Sequence, residues 1–271
     1  MRMTARVSAL AALLAPGLGF ATPGHAQNTN ADLAKQLSNP VANLISVPLQ
    51  YNYNDGFGDG GGRQNYVNFQ PVVPVSLNAN WNVIIRTILP VIDQYDMVPG
   101  SGTQFGLGDT TQSFFFSPKA PGPGGLIYGV GPAFLYPTAT EEALGTGKWG
   151  AGPTIVALKQ EGGWTYGVLA NHIWSVTGQS AREDLSNTFL QPFASYTTAK
   201  ATTYTLNTES TYDWKDNQWS VPINAMVTQL LKVGDQRIQV GGGLRYWAES
   251  PEGAADGWGA RAVLTFLFPA G

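Results

Sequence analysis

The stretch Trp258-Gly-Ala-Arg-Ala-Val-Leu-Thr-Phe-Leu-Phe268 decides the fold. In an extended chain Ala260, Ala262, Leu264, Phe266 and Phe268 share one face, and Arg261, Val263, Thr265 and Leu267 share the other. A period of two marks a β-strand, because successive side chains point to opposite sides. One face is small and aromatic apolar groups, and the other carries an arginine. That division suits a wall with lipid outside and water inside. The stretch therefore reads as the closing strand of an outer-membrane-type barrel.

The N-terminus agrees. Arg2 and Arg6 form a basic start, Val7 to Ala21 is almost all apolar or glycine, and Pro23-Gly-His-Ala26 offers small residues to a signal peptidase. This is the secretory pattern, with cleavage expected after Ala26. Pro16, Gly17 and Gly19 break the apolar run, which is too short for a spanning helix. The expected organisation is a signal peptide at 1–26, an N-terminal periplasmic segment at 27–45 and a barrel at 46–268. Removing Arg2 and Arg6 leaves 15 − 2 = 13 Lys+Arg against 18 Asp+Glu, a mature charge of −5. A nucleic-acid partner needs a basic surface and is not expected. Charged residues are only 12%, against about a quarter in ordinary soluble chains, which favours lipid-facing strands over a solvated domain. There is no cysteine, so disulfides and cysteine-held metals are excluded, and no cofactor or metal is expected.

About twelve strand-like segments follow, near 46–54, 65–75, 81–91, 105–117, 126–136, 148–158, 164–175, 188–198, 202–213, 218–230, 236–247 and 258–268. Most approach the roughly 9–11 residues that cross a bilayer as a tilted strand. Thr203 to Trp214 is the clearest. Tyr204, Leu206, Thr208, Ser210, Tyr212 and Trp214 alternate with Thr205, Asn207, Glu209, Thr211 and Asp213. The parity of 105–117 stays open, since Asp109 and Gln112 fall on opposite faces. Long polar connectors (55–64, 92–104, 137–147, 176–187, 248–257) alternate with short ones (76–80, 159–163, 199–201, 231–235), and two connectors depart from the pattern, a long one at 118–125 and a short one at 214–217. Long outer loops and short periplasmic turns produce that alternation, and a secreted β-sandwich, the competing fold, does not. All eight tryptophans fall at segment ends. Trp81 and Trp164 sit at the inner edge, and Trp149, Trp174, Trp214, Trp219, Trp247 and Trp258 at the outer, where Tyr66 and Tyr246 are among the tyrosines that join them. Two interfacial aromatic girdles are expected. The fold class is thus all-β: a transmembrane, antiparallel, up-and-down barrel.

Several motifs resemble one family. They are Asn80-Trp-Asn-Val-Ile-Ile-Arg-Thr-Ile-Leu-Pro-Val-Ile92, Phe105-Gly-Leu-Gly-Asp-Thr-Thr-Gln-Ser-Phe-Phe-Phe-Ser-Pro118, Gly147-Lys-Trp-Gly-Ala-Gly-Pro153, Trp164-Thr-Tyr-Gly-Val-Leu-Ala-Asn-His-Ile-Trp-Ser175, Leu190-Gln-Pro-Phe-Ala-Ser-Tyr196 and Leu267-Phe-Pro269. Together they are similar to the outer-membrane family named for the meta-cleavage pathway of phenol degradation, whose members are often labelled "transporter" or "neuromedin U". The resemblance implies a monomeric barrel that passes small, hydrophobic or aromatic solutes. It implies no catalytic residues. The chain departs from the usual assembly signal by ending Pro269-Ala-Gly271 rather than in an aromatic residue.

Charges on membrane strands should face the interior or pair, because an arginine at the lipid midplane costs about 2–4 kcal/mol. Arg86, Asp109, Asn207, Glu209, Arg245 and Arg261 are therefore candidates to line the lumen, with Asp109 expected beside Arg86. A structural ion-pair network that fills a narrow lumen is the equal alternative for the charged members. Beyond the signal the chain has one histidine, His172. A strand His–Ser dyad would suit an outer-membrane lipid hydrolase, but a spacing of three sets His172 and Ser175 on opposite faces. His172 is expected to be a rim residue. Glycines 106, 108, 150 and 152 lack the context of a phosphate loop and read as sites of close strand packing. Asp55 and Asp59 do not have EF-hand spacing.

The expected function is an outer-membrane channel for passive uptake of small solutes. A lipid-modifying hydrolase and a closed structural barrel are the alternatives. Expected partners are outer-membrane lipid and lipopolysaccharide, the barrel-assembly machinery and the solute itself. Residues 27–45 carry Leu33 and Leu37 on one edge and are expected to dock in the periplasmic mouth, with a free tail as the alternative.

Overall fold

A computed structural model describes residues 29–59 and 61–268. The expected signal peptide and its cleavage site lie outside the described residues. One helix precedes an antiparallel sheet of fifteen hydrogen-bonded segments. Three pairs of segments are collinear halves of one strand, which leaves twelve. They are β1 (Ile45–Phe57), β2 (62–76), β3 (Trp81–Tyr95), β4 (103–118), β5 (Ile127–Tyr136), β6 (Lys148–Glu161), β7 (Trp164–Gly178), β8 (Ser186–Thr197), β9 (202–213), β10 (Gln218–Val233), β11 (Gln236–Glu249) and β12 (Gly257–Phe268). Each strand pairs with the next in sequence, and β12 pairs back onto β1 from Phe268↔Ile45 to Ala260↔Tyr53. The sheet is a closed up-and-down barrel, so no edge is left unpaired.

Prolines explain the three internal breaks, since each lacks an N–H for the ladder. β2 breaks at Pro71 itself. β4 breaks at Gly108–Asp109, where Gly108 N donates to Pro90 O (2.9 Å), and β9 breaks at Glu209, whose N donates to Pro222 O (3.4 Å). The β4 break is also a bulge. Above it Gln104 pairs with Gln94, and below it Ser113 pairs with Arg86, a shift of one residue. The extra residue reverses the inward parity along the strand, which is why 105–117 fits neither face in sequence.

The strands end beyond the expected boundaries at the long-loop side. β1, β3 and β7 run on to Phe57, Tyr95 and Gly178. The outward face is apolar: Val130, Ile155, Val168, Leu206, Val227 and Leu244 are all exposed large hydrophobics. Ile155 lies at the middle of β6 and is 50% exposed. Ile155→Arg is expected to cost about 2–4 kcal/mol in lipid vesicles and much less in detergent; equal urea stability of both proteins in vesicles would contradict a lipid-facing wall.

Two residues assigned to the outer girdle point inward instead. Tyr66 shares its face with Gln64 and Gln70, and Trp247 shares its face with Arg245. Tyr66 OH accepts from Arg245 Nη1 at 2.8 Å, and Trp247 Nε1 donates to Asn54 Oδ1 at 3.3 Å. Both lie at girdle height, but the strand period turns them to the bore. Tyr246 and Trp258 stay outside, with ring centroids 5.0 Å apart.

At the short-turn end, helix α1 (Asn30–Leu37) opens with a capping box. Thr29 accepts from Asp32 N, and the Asp32 carboxylate accepts from Thr29 N, two orphan donors satisfied reciprocally. Eight residues do not hold a helix in water, so tertiary contacts must. Leu33, Ala34, Ala42 and Leu44 pack on Ala201, Leu230 and Leu267, while Val41 packs on Ile84, Phe115, Val156, Leu158 and Leu169. These two sets are inward residues of opposite walls. The segment from α1 to Leu44 thus lies across the bore.

Candidate functional site: the lumen and its charge cluster

Along β1 the inward residues are Ser46, Pro48, Gln50, Asn52 and Asn54, and they order the lumen from the short-turn end outward. Ser46, Pro48 and Gln50 line an inner cavity of about 240 Å³, floored by residues 36–44. Asn54 lines an outer cavity of about 270 Å³ with Tyr66, Trp247 and Ala255. The two share no lining residue. Asn52 stands between them, at the level of a charge cluster.

That cluster joins strands that are not neighbours. Glu209 Oε2 accepts from Arg261 Nη2 (2.6 Å) and from Arg245 Nη2 (2.9 Å), and Oε1 accepts from Arg261 Nη1 (2.8 Å). Arg261 Nε donates to Asn52 Oδ1 (2.7 Å) and Arg245 Nε to Asn224 Oδ1 (2.8 Å). Asn224 Nδ2 donates in turn to Asn207 Oδ1 (2.9 Å). β9 pairs with neither β11 nor β12, so these bonds reach over the intervening strands on the inner face of the barrel. Arg245 is 1% exposed and Arg261 3%. A buried guanidinium needs both a counter-charge and neutral acceptors for its remaining donors, and the surrounding asparagines supply them.

Above the cluster a row of amides continues the pattern. Asn54 Nδ2 donates to Gln64 Oε1 (3.4 Å), Gln64 Nε2 to Gln94 Oε1 (3.0 Å) and Gln94 Nε2 to Gln104 Oε1 (3.3 Å). The row runs from β1 to β4. Sequence reading missed it because the bulge at Asp109 hides the parity of Gln104. Its signal was polar residues at alternate positions, Asn52, Asn54 and Gln50.

Five of the six candidates from sequence share the bore. Arg245, Arg261, Glu209 and Asn207 meet in one network. Arg86 lies apart, in the wall of the inner cavity, where Nη2 donates to Gln70 Oε1 (3.1 Å). Asp109 is not beside Arg86 and is not part of the bore network. Arg86 pairs with Ser113, four residues on: the strands run on to Tyr95↔Thr103, which moves the turn outward and accounts for most of the displacement, and the bulge adds one residue. Asp109 accepts from Ala139 N (3.2 Å), Thr146 N (2.6 Å) and Thr146 Oγ1 (2.7 Å) and so pins the 137–147 loop.

A second clamp holds that loop end. Lys148, 6% exposed, donates to Asp184 Oδ1 at 3.0 Å, and Ser175 Oγ donates to the same oxygen at 3.1 Å. The bonds from Lys148 and then Ser175 hold the Asp184 carboxyl below its ordinary range. A lowered folded-state pKa gives stability that is present above the unfolded value, about 3.9, and is lost as pH falls through the folded one. Hydrogen exchange in 179–185, corrected for its intrinsic rate, is expected to stay flat from pH 7 to 5 and to rise below about pH 4. In Asp184→Asn it should be fast throughout. A flat profile down to pH 3 in the native protein would show that the clamp does not hold the loop.

His172 faces outward at the outer rim. Nδ1 is 2.7 Å from Thr188 Oγ1, its ring centroid is 4.1 Å from that of Trp174, and Trp214 Nε1 donates to Thr188 Oγ1 at 2.8 Å. Ser175 is on the opposite face, as its spacing requires. The sequence did not suggest Ser186, whose Oγ is 3.4 Å from His172 Nε2. Gly152 does serve close packing: a Cβ there would run into the His172 carbonyl on β7.

No family model matches the chain, and no curated protein sequence matches it. Solved structures do. An outer membrane channel from Pseudomonas putida F1 is similar at TM-score 0.63 and 13% identity, over 83% of this chain and 95% of that one. The β-domain of the Bordetella autotransporter BrkA gives TM-score 0.44 at 10% identity, over 83% of this chain and 100% of that one. The outer membrane phospholipase of Salmonella typhi gives 0.45 at 9%, over 89% and 98%. The first likeness establishes a shared barrel fold.

Proposed function

We propose that the protein is an outer-membrane channel through which small water-soluble solutes cross between the outer mouth and the periplasm. The observation that carries this reading is the bore: two cavities stacked along one axis inside an apolar outer wall, the inner one of mixed lining rich in Ser, Thr, Asn and Gln, the outer one lined mainly by aromatic and apolar side chains such as Phe57, Ile92 and Trp247. A closed structural barrel has no need of such chambers. The family resemblance in sequence belongs to the same proposal, as do a monomeric state and contacts with lipopolysaccharide and the barrel-assembly machinery. An inner chamber of mixed lining beneath a largely apolar outer one favours amphipathic solutes. Heat-modifiable migration, fractionation with outer membranes and planar-bilayer conductance test it. A freely soluble product, or a folded barrel that stays electrically silent with residues 27–40 removed, contradicts it.

One contact favours a second reading, a lipid hydrolase. His172 lies beside Ser186 on the lipid face, as a general base beside a nucleophile must. Thr188, the partner of Nδ1, is neutral and orients the ring without stabilising an imidazolium as a carboxylate would. Phospholipid turnover that disappears in Ser186→Ala would establish this activity, and turnover unchanged in that variant would exclude the pair.

A further inference from the structure

We infer that the inner cavity is a binding site for a small amphipathic anion, a carboxylate on a compact apolar body, and that Arg86 recognises its charge. The inference deepens the channel reading and relies on it only for the route by which the ligand arrives.

Arg86 is the only charged residue in the cavity lining among the described residues. A guanidinium presents five N–H donors in a fork that matches a carboxylate. Among the described residues Arg86 uses one bond, to Gln70, and makes no ion pair. Glu209 acts on it only at a distance: that carboxylate is bonded to Arg245 and Arg261 and makes no direct contact with Arg86. Three guanidiniums against one carboxylate leave two positive charges in excess around a confined space, where water screens them weakly. The remaining wall fits the rest of such a ligand. Gln191 and Gln239 offer neutral amides, and Phe193, Met226 and Val263 offer apolar surface. The volume, about 240 Å³, has room for a ligand of several heavy atoms. A cation of that size meets the same excess positive charge, and a neutral solute leaves the fork of Arg86 unfilled.

Butyrate and butylammonium are matched probes, equal in length and opposite in charge. Calorimetric titration of the full-length protein in detergent micelles is expected to show one saturable butyrate site, at least about tenfold tighter than any butylammonium binding, as a charge-assisted bond implies. Arg86→Gln should weaken butyrate by a similar factor. Arg86→Lys should recover part of it, since an ammonium keeps the charge and loses the fork. Heat-modifiable migration reports whether each variant is folded. The comparison of the two probes on the native protein needs no variant. Equal binding of both, or no saturable butyrate binding, overturns the inference. Conductance separates this claim from the one beneath it. Current without butyrate binding keeps the channel and removes the anion site, whereas butyrate binding without current keeps the site and removes the channel.

Discussion

Glu209→Gln is expected to destabilise the barrel by about 3–5 kcal/mol, the usual result of removing one partner from a buried ion pair. The substitution keeps size and shape, so no cavity accompanies it. The charge alone is lost, and two guanidiniums that are 1% and 3% exposed are left facing one another. The amide oxygen can take the place of Oε2 and still accept from both, but without a charge, and the NH₂ in the place of Oε1 then meets the donor Nη1 of Arg261. Urea unfolding in lipid vesicles, followed by tryptophan fluorescence, measures the loss. The combined change Glu209→Leu, Arg245→Met and Arg261→Met should restore most of it, because an apolar cluster of similar volume carries no desolvation penalty. A loss below about 1 kcal/mol in the single variant, the range of solvated pairs, would mean that water in the bore already screens the cluster.

Deleting residues 27–40 is expected to raise single-channel conductance several-fold while the barrel still assembles. The twelve-strand ladder closes through β1 and β12 without the leader, so heat-modifiable migration should persist. What leaves is Leu33, Ala34 and Leu37, which cover Leu230 and Leu267 on the inner wall. Leu33→Asp should give part of the same rise, since a carboxylate cannot stay in that apolar contact. Unchanged conductance, with rapid cutting of 29–40 by protease from the periplasmic side, would mean that the segment is only a tail.

Much of this architecture was legible in the sequence because lipid and water lie on opposite sides of a single layer. In Thr203–Trp214 and Trp258–Phe268 that constraint writes itself as strict alternation, and the inward set, Glu209, Arg245 and Arg261, could be read from parity alone. Strand number and the closing strand followed from the same rule, and most of the girdle from the run of aromatics at segment ends. The leader was legible as an amphipathic segment too short to stand alone.

Parity failed where proline and glycine interrupt the ladder. A turn centred further out than expected, with one extra residue at Gly108–Asp109, turned an expected Asp109–Arg86 pair into two unrelated roles, a loop anchor and a lone cation. Tyr66 and Trp247 were misplaced for a related reason: an aromatic at girdle height looks the same in sequence whether it meets lipid or lumen. The His172–Ser186 contact was invisible because it joins two strands at a register that only pairing sets. By itself the sequence determined the class of wall, its number of strands and which charges must avoid lipid. Only the tertiary structure decided which of those charges meet, because contacts across a barrel depend on register and curvature. It alone divides the bore into two chambers around Glu209 and leaves Arg86 in the inner one.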